Sequence, residues 1–421
     1  MRFRAALSII LLATACRGGD GDTDDASVRD DGRMATAYAT GTDRLSPEEI
    51  EAGRLEMDWR EFIERDTTAG AEADSAAAGA PPPAGTESWE DITMESVNSG
   101  PAALPVYGDV AGPTVMRVQV LLDRALFSPG IVDGRWGRNT EKAVYWLQRR
   151  EGLRPTGHVD RATWQRLQQL GGQPSQLVHT RRLTADDVAG PFVTLPDEYY
   201  DRRNIECQCY ESLAEKLAER HHTTEALLRI LNPDVDLNTV TAGTRLNVPA
   251  VERAAPEGFG VAAADTRDSA ARSGQSPQYG AGAIARIVIS DGGRYLHALD
   301  ASGRILYHFP ATLGSAYSPS PTGDYRVTNT AHDPTWHYQP DLLAGVSDDE
   351  PDAVLPPGPN NAVGVVWMQL SRPHYGIHGT SAPETIGYAT SNGCVRLTNW
   401  DAEFLGQRVE PGTPVEFRDI R

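Results

Sequence analysis

Apolar residues in the middle of the chain are spaced as on one face of a helix. In the first such stretch they recur three and four residues apart. These positions are Val115, Val118, Leu121 and Leu122. A second helix is expected to open at Asn139, after a Gly-rich turn, and a third to surround Trp164. The pattern predicts a small three-helix bundle over residues 108–172.

The next segment carries two more helical patterns and one strand. The first helix is expected to begin at Leu213, and the second ends at Pro233 because proline cannot continue a helix. A short run over residues 244–249 then predicts a strand. Together these elements predict a small α+β module over residues 196–251. Residues 252–282 have the composition of a linker.

From residue 283 onward the hydrophobic period becomes that of β-strands. Apolar and polar residues alternate in short runs, and turns rich in Gly, Asp and Ser separate the runs. Strands of this kind predict an antiparallel sandwich or barrel over residues 283–421. The chain is therefore expected to be multidomain, with a mainly-β domain preceded by a small three-helix bundle and an α+β module.

The first residues indicate export. Arg2 and Arg4 precede an apolar run over residues 5–12 that is too short to span a bilayer. Small residues then lead to Cys16, in a pattern that resembles a bacterial lipobox. The resemblance implies a lipoprotein signal peptide over residues 1–16, a lipid membrane as partner through acylated Cys16, and a location in the cell envelope or periplasm. An ordinary signal peptide cut just before this cysteine is the alternative.

The acidic charge of the chain is concentrated near its N terminus. The 421 residues carry a formal net charge of −19, and residues 17–100 hold 21 Asp and Glu against seven Arg. That composition predicts an acidic flexible tether, interrupted by a short helix near residues 46–65 that a Ser-Pro-Glu-Glu start signals. The remainder is only mildly acidic and lacks the basic surface that nucleic acid requires. No nucleic-acid partner is expected.

Beyond Cys16, three cysteines are too few for the disulfide framework of a small secreted protein. Cys207 and Cys209 are separated by one residue and are compatible with a local disulfide, with two thiols or with half of a metal site. No second Cys pair completes a zinc ligand set with them. No zinc site is therefore expected at these two cysteines.

A histidine and a cysteine in the predicted β domain are candidates for nucleophilic catalysis. His378 precedes Cys394 by 16 residues, far enough for the two to face each other from neighbouring strands. A thiol with an ordinary pKa of about 8.5 is only slightly ionised at pH 7, so it needs an imidazole to take its proton. Taken singly, a cysteine or histidine in a β domain is usually structural.

The residues around Cys394 supply the other groups that acyl transfer needs. Gly393 allows a close approach of the backbone, and the amides near Gly393 and Cys394 are candidates for an oxyanion site. Ser391 is a candidate for orienting the loop or the imidazole, and Asn392 lies in the same loop. Arg396 offers a planar two-donor fork to a substrate carboxylate.

These residues stand within the sequences I-H-G-T and S-N-G-C-V-R-L, which resemble the L,D-transpeptidase catalytic (YkuD-like) domain. The likeness covers roughly residues 283–418 and extends through three further segments. These are residues 321–327, 333–336 and 357–364. Many members of the family have His where this chain has Asn392, which bears on the support of the loop and not on the nucleophile.

The resemblance implies a two-stage acyl transfer. Cys394 would attack the carbonyl of the third residue of a peptidoglycan stem peptide and release D-Ala as a thioester forms. His378 would then help an amine to attack the thioester, which gives a 3→3 cross-link. The resemblance also places Gly379 and Thr380 in substrate binding. It requires no metal and no cofactor.

The two upstream modules also resemble wall-binding domains. The sequence V-x-x-V-Q followed by D-G-x-x-G and T-G-x-x-D-x-x-T-W is similar to the peptidoglycan-binding domain of many wall enzymes. The order helix, helix, Asn-Pro and strand over residues 196–251 looks like a divergent LysM repeat, with an unrelated connecting domain as the alternative. The implied partners are the stem peptides and glycan strands of peptidoglycan.

Three other functions are open to the same sequence. Attack of water on the thioester would make the chain an L,D-carboxypeptidase. An inactive β domain would leave a non-catalytic tether between lipid and peptidoglycan. A zinc peptidase is the third, and the β domain lacks the sequence of a zinc ligand set.

Overall fold

The computed structural model of the chain describes most of its C-terminal four fifths. The described residues are 87–172, 176–251, 283–316, 318–340, 343 and 349–418. The expected lipidation site Cys16, the helix near residues 46–65 and the linker over residues 252–282 lie outside them. Within the described residues, no helix combines the length and the apolar character that crossing a membrane requires.

Four helices form the helical module, defined here as residues 87–172. Their bounds are α1 Met94–Ser99, α2 Pro113–Arg124, α3 Arg138–Arg150 and α4 Arg161–Gly171. Pro113 occupies the first turn of α2, and the Asp160 side chain accepts a hydrogen bond from the amide of Thr163 at the start of α4. The three helices that the hydrophobic spacing predicts are present, and their apolar faces share one core.

The tether predicted over residues 17–100 ends earlier than expected. Ile92 and Val97 are buried in the core of the helical module. The Glu87 carboxylate accepts hydrogen bonds from the amide of Thr114 at 2.9 Å and from its hydroxyl at 2.8 Å. The predicted boundary is therefore wrong, because two apolar residues and one helix-capping carboxylate hold this acidic stretch against α2.

The second module, defined here as residues 176–251, places helices between two paired strands. Its elements are β1 Val178–Arg182, α5 Ala185–Val188, α6 Leu213–Arg220, α7 Glu225–Leu231 and β2 Arg245–Pro249. The strands are antiparallel, and Val178 pairs with Pro249. The boundary predicted at residue 196 is wrong because it omits β1. The sequence Val-His-Thr-Arg-Arg has little apolar alternation, and its partner strand lies at the other end of the module.

The β domain, defined here as residues 283–418, is built on one eight-stranded sheet. The strands are β3 Arg286–Ser290, β4 Tyr295–Leu299, β5 Ile305–Pro310, β6 Gly323–His332, β7 Trp336–Tyr338, β8 Ala353–Leu355, β9 Val366–Leu370, β10 Gly376–His378, β11 Val395–Arg396 and β12 Pro414–Arg418. The sheet order is β11-β10-β9-β6-β12-β3-β4-β5, while β7 and β8 pair separately. One helix, α8 Asn399–Gly406, packs on the sheet.

The mainly-β character is confirmed, but the purely antiparallel arrangement that we predict from the sequence is wrong. Strands β12 and β3 pair in parallel, as do β11 and β10. The C-terminal strand β12 inserts between β3 and β6. Parallel pairing needs a crossover connection, and here the partners of β12 are far away in sequence. A pattern of short strands and turns does not encode that insertion.

The three modules meet at a buried junction. Oδ2 of Asp123, on α2, lies 3.0 Å from Nδ1 of His222 in the second module. The His222 ring stacks on Trp400 of α8, with centroids 4.9 Å apart. Nearby, Ser128 donates a hydrogen bond of 2.7 Å to Asp401 of the same helix. Each module therefore contributes a polar or aromatic group to one packed contact.

A second contact joins α3 to the β domain directly. The Nζ of Lys142 is buried and donates hydrogen bonds to the carbonyl of Gly293 at 3.0 Å and of Arg294 at 3.3 Å. Asn139 donates to the carbonyl of Ile386 at 2.8 Å. Burial and the nearby Arg138 and Arg294 guanidinium groups hold the pKa of Lys142 well below its usual range.

Candidate active site

The two residues singled out for catalysis lie on neighbouring strands. His378 ends β10, and Cys394 immediately precedes β11. The strands pair in parallel, with Ile377 opposite Val395, so Cys394 stands beside the strand that carries the histidine. The spacing of 16 residues is what allows the chain to leave β10 and return alongside it.

The imidazole of His378 is held in one orientation. Its Nδ1 lies 2.7 Å from the carbonyl oxygen of Gly379, and its ring stacks on Trp367 at 5.3 Å between centroids. A carbonyl oxygen only accepts hydrogen bonds, so the proton of the neutral ring must reside on Nδ1. The lone pair of Nε2 is then available to a thiol.

The electrostatic surroundings favour the neutral form of His378. Burial, together with a smaller effect of the positive charge of Arg396, lowers the pKa of the imidazole to about 3. The hydrogen bond to Gly379 acts in the opposite direction. At neutral pH the ring is therefore a proton acceptor, which is the state that a general base needs.

Cys394 is buried, with 7% of its surface exposed, and its Sγ lies 3.6 Å from the carbonyl oxygen of His374. A nucleophilic role requires the reduced form, because the thiolate is the attacking species. Cys207 and Cys209 are bonded to each other, which decides between the three states that the sequence leaves open.

The loop before Cys394 is organised by Ser391. The Ser391 hydroxyl donates to the carbonyl of Cys394 at 2.6 Å and accepts from the amide of Gly393 at 3.1 Å. The amide of Gly393 therefore has an acceptor within the loop, and the oxyanion role of the amides near Cys394 stays a prediction. Gly393 has a φ of +105°, a conformation that L residues rarely adopt.

Gly379 and Thr380 form a packed turn directly after His378. Thr380 is fully buried, and its hydroxyl accepts a hydrogen bond from the amide of Ala382 at 3.2 Å. A Cβ on Gly379 would stand 2.2 Å from Oδ1 of Asn399. The turn carries the acceptor for His378, and the substrate-binding role of both residues stays a prediction.

Arg396 and Asn392 remain candidates on opposite sides of the nucleophile. Arg396 is half-buried on β11, and its backbone amide and carbonyl pair with Thr312 at 2.9 and 3.0 Å. Arg396 lies opposite His378 in the parallel pairing of β10 and β11, and its positive charge lowers the pKa of the imidazole. Asn392 is half-buried in the loop.

Asn399 is a site residue that the sequence reasoning missed. Its Oδ1 accepts hydrogen bonds from the amides of Thr380 at 3.1 Å and Val365 at 3.3 Å. Its Nδ2 donates to Oε1 of Glu219 and to the carbonyl of Pro359, both at 3.1 Å. All four hydrogen-bonding positions of the side-chain amide are used. The local signal was an Asn two residues after the motif, at the start of α8.

The second module contacts the same region through its disulfide loop. Gln208 lies between the two bonded cysteines and is fully buried. Its backbone amide donates a hydrogen bond of 2.9 Å to the carbonyl of Pro357. Its backbone carbonyl accepts from the amide of Asn360 at 2.9 Å. The Asn360 side chain donates to the carbonyl of Cys209 at 3.1 Å and to Glu215 of α6 at 2.8 Å. Sequence alone offered no reason to join these segments.

Across the described residues, no group of three or more His, Cys, Asp or Glu side chains is arranged to hold a metal ion.

Two family models match the chain. Residues 284–417 match the model of the L,D-transpeptidase catalytic domain, and residues 111–167 match the model of a peptidoglycan binding domain. The first match contains the β sheet, His378 and Cys394. The second contains α2, α3 and most of α4.

Individual proteins show the same likeness. A Bacillus licheniformis protein named as an L,D-transpeptidase, YkuD, is 26% identical over 201 residues, which are 48% of this chain and 90% of that protein. A Bacillus subtilis protein of the same name is 30% identical over 129 residues, 31% of this chain and 63% of that protein. The crystal structure of L,D-transpeptidase 3 from Mycobacterium tuberculosis aligns with a TM-score of 0.27 and 20% identity, covering 32% of this chain and 60% of that one.

Proposed function

We propose that this chain cross-links peptidoglycan stem peptides through the thiol of Cys394, because residues 284–417 match the model of the L,D-transpeptidase catalytic domain. The observation that carries the proposal is the fixed tautomer of His378. Its Nδ1 proton is held by the carbonyl of Gly379 at 2.7 Å, one strand away from the cysteine. A neutral imidazole with a free Nε2 beside a thiol is the arrangement that nucleophilic acyl transfer needs.

The first stage forms a thioester. Nε2 of His378 takes the thiol proton, and the sulfur of Cys394 attacks the carbonyl carbon of the third residue of a stem tetrapeptide. The bond to the terminal D-Ala then breaks, and His378 returns the proton to the departing amine. The backbone amide of Cys394 is the proposed oxyanion donor, since that of Gly393 is engaged by Ser391.

The second stage transfers the acyl group. An amine attacks the thioester carbonyl, His378 takes its proton, and the carbon–sulfur bond breaks to restore the Cys394 thiol. A second stem peptide as acceptor gives a 3→3 cross-link. Arg396 is the proposed contact for a substrate carboxylate, because its guanidinium fork lies on β11 beside the site. Asn392 is proposed to support the loop.

The remaining parts of the chain are proposed to keep the enzyme at the cell wall. The helical module would bind peptidoglycan, as the match of residues 111–167 suggests. The second module has three helices between paired strands and would bind glycan as a LysM-like repeat. Acylated Cys16 would anchor the chain to a membrane, with the enzyme in the cell envelope or periplasm.

The test uses the full chain, reduced with a phosphine, and disaccharide tetrapeptides as substrate. We expect mass spectrometry to show a dimer that has lost one D-Ala. Cys394→Ala and His378→Ala should abolish the dimer, whereas the matched control His332→Ala, an exposed histidine of β6 paired with Glu403, should leave it unchanged. Full activity of Cys394→Ala would show that the nucleophile is assigned wrongly.

The same assay separates the alternatives. A tripeptide without any dimer, in the presence of excess acceptor amine, would favour the L,D-carboxypeptidase. No product, together with binding of the chain to sacculi, would favour the non-catalytic tether.

A further inference from the structure

The hydrogen bond that orients His378 is the last of a series that starts in the second module. The carbonyl of Gly379, which accepts from His378, and the amide of Thr380 belong to the same planar peptide group. That amide donates to Oδ1 of Asn399, and Nδ2 of Asn399 donates to Oε1 of Glu219. Three hydrogen bonds and one rigid peptide therefore connect a carboxyl group of α6 to the imidazole.

We propose that Glu219 is a positioning residue for His378 and acts through Asn399 and the Gly379–Thr380 peptide. The second module then contributes a residue that the active site needs. The inference rests on the proposed function, because it assigns to His378 the role of general base. It adds a residue from a different module, more than 150 positions upstream of the catalytic motif.

The amide of Asn399 explains why the carboxyl group matters. An Asn side chain can be turned by half a rotation, which exchanges its oxygen and its nitrogen. Only one orientation directs Oδ1 toward the amides of Thr380 and Val365, and Glu219 and the carbonyl of Pro359 fix it by accepting from Nδ2. Loss of Glu219 removes one of the two acceptors that hold this orientation.

The turn around Gly379 is packed too closely for the side chain of Asn399 to move alone. A Cβ on Gly364 would stand 2.1 Å from Oδ1 of Asn399, and one on Gly379 would stand 2.2 Å from the same atom. The amide is thus packed between two backbone segments. A shift of Asn399 must move the Gly379–Thr380 peptide, and with it the acceptor of the His378 proton.

Several ionisable groups face Glu219. Tyr210 donates its hydroxyl to Oε1 at 3.1 Å, while Glu215 of the same helix and Glu384 of the β domain add negative charge. Asn399 donates from α8. The pKa of Glu219 is raised to about 7, mainly by burial and also by the two carboxylates. The hydrogen bonds from Asn399 and Tyr210 act in the opposite direction. Its ionisation therefore falls within the range in which activity is measured.

The first experiment compares variants of the full chain in the reduced state. Glu219→Ala should lower kcat about tenfold to a hundredfold, because misplacement of a base by a fraction of an ångström affects the chemical step. KM should stay within about twofold, since the substrate contacts are untouched. Glu219→Gln keeps an acceptor for Asn399 and should retain most of kcat. The matched control is Glu225→Ala, a surface residue of the same module paired with Arg229.

The second experiment reverses the hydrogen bond. Asn399→Asp places an acceptor opposite the Glu219 carboxylate and should lose activity, most strongly above pH 7. Combining it with Glu219→Gln restores a donor facing an acceptor and should recover a substantial part of the loss. The pH profile of kcat should also change: the ionisation near pH 7 that Glu219 contributes should be absent in Glu219→Gln.

A spectroscopic measurement separates this inference from the proposed function. In protein labelled with ¹⁵N-histidine, Nδ1 of His378 should carry the proton in the parent chain, and Glu219→Ala should broaden or shift that signal. Glu225→Ala should leave it in place. This result is read without any turnover, so an inactive parent chain would count against the function and not against the positioning.

Two outcomes would overturn the inference. One is a folded Glu219→Ala protein with kcat and the His378 signal both unchanged. The other is an equal loss for Glu219→Ala and Glu219→Gln with no recovery in the double variant, which would indicate a role in folding alone.

Discussion

At the scale of single residues, the site depends on hydrogen bonds that fix the orientation of each polar side chain. His378 has one acceptor for Nδ1, and Asn399 uses all four positions of its amide. Ser391 engages the amide of Gly393 and the carbonyl of Cys394 in the same way. Buried polar groups that are fully satisfied hold one geometry, because any alternative leaves one of them without a partner.

The raised pKa of Glu219 predicts how stability depends on pH. The group binds a proton more tightly in the folded chain, with a pKa of about 7, than its ordinary value of 4.5 allows when unfolded. Its contribution to stability is therefore complete below pH 4.5 and is lost as the pH rises through 7. We expect the Tm of the parent chain, relative to Glu219→Gln, to fall between pH 5 and pH 8.

Thermal melts followed by circular dichroism would measure that difference. Glu225→Gln, at a surface ion pair, serves as the control and should show a difference that does not change with pH. A Tm difference for Glu219→Gln that stays flat, or that rises with pH, would contradict the predicted direction of the pKa change.

At the scale of elements, the segment between β1 and α6 joins the second module to the β domain. Its disulfide places Gln208 against the chain around Gly358, where a Cβ would stand 2.2 Å from the Gln208 carbonyl. Gly358 has a φ of +146°. Both the absence of a side chain and the backbone conformation therefore suit a glycine at this position.

Gln208→Ala tests the contribution of this contact. The substitution removes the hydrogen bond from Nε2 to the carbonyl of Pro356 at 3.0 Å and leaves a small cavity at a fully buried position. We expect a loss of about 1 to 3 kcal/mol in the free energy of unfolding, measured by urea denaturation. Gln165→Ala on the exposed face of α4 should cost less than about 0.5 kcal/mol. Equal effects of the two changes would mean that the docking of Gln208 contributes nothing.

At the scale of the whole molecule, the three modules share one buried junction. Asp123, His222 and Trp400 come from the helical module, the second module and the β domain, respectively. The buried Lys142 and Asn139 add contacts between α3 and the β domain. The relative placement of the helical module, the second module and Cys394 is thus set by packing.

Asp123→Ala should loosen that junction. The change leaves the buried Nδ1 of His222 without its 3.0 Å partner, at a cost of about 1 to 3 kcal/mol. We expect one cooperative transition for the parent chain in calorimetry, and a lower Tm with a broadened or divided transition for the variant. Asp109→Ala, at an exposed position of the same module, is the control. Identical melting profiles for both variants would show that the modules are not coupled here.

The sequence by itself determined the features that depend only on neighbouring residues. Helical spacing placed α2, α3 and α4, and turn residues marked the strands of the β domain. The residues His378 and Cys394 were identified because they stand in short motifs with a direct chemical meaning. Periodicity and motif chemistry act over a few residues, so they can be read without knowledge of the fold.

The tertiary structure alone decided which distant segments meet. β1 pairs with β2 across the whole second module, and β12 inserts between β3 and β6. Glu219 and Asn399 are 180 residues apart and come together only because α6 docks against the start of α8. Such contacts depend on how complete elements pack, and the free energy that selects them is spread over many buried groups. No single stretch of sequence carries it.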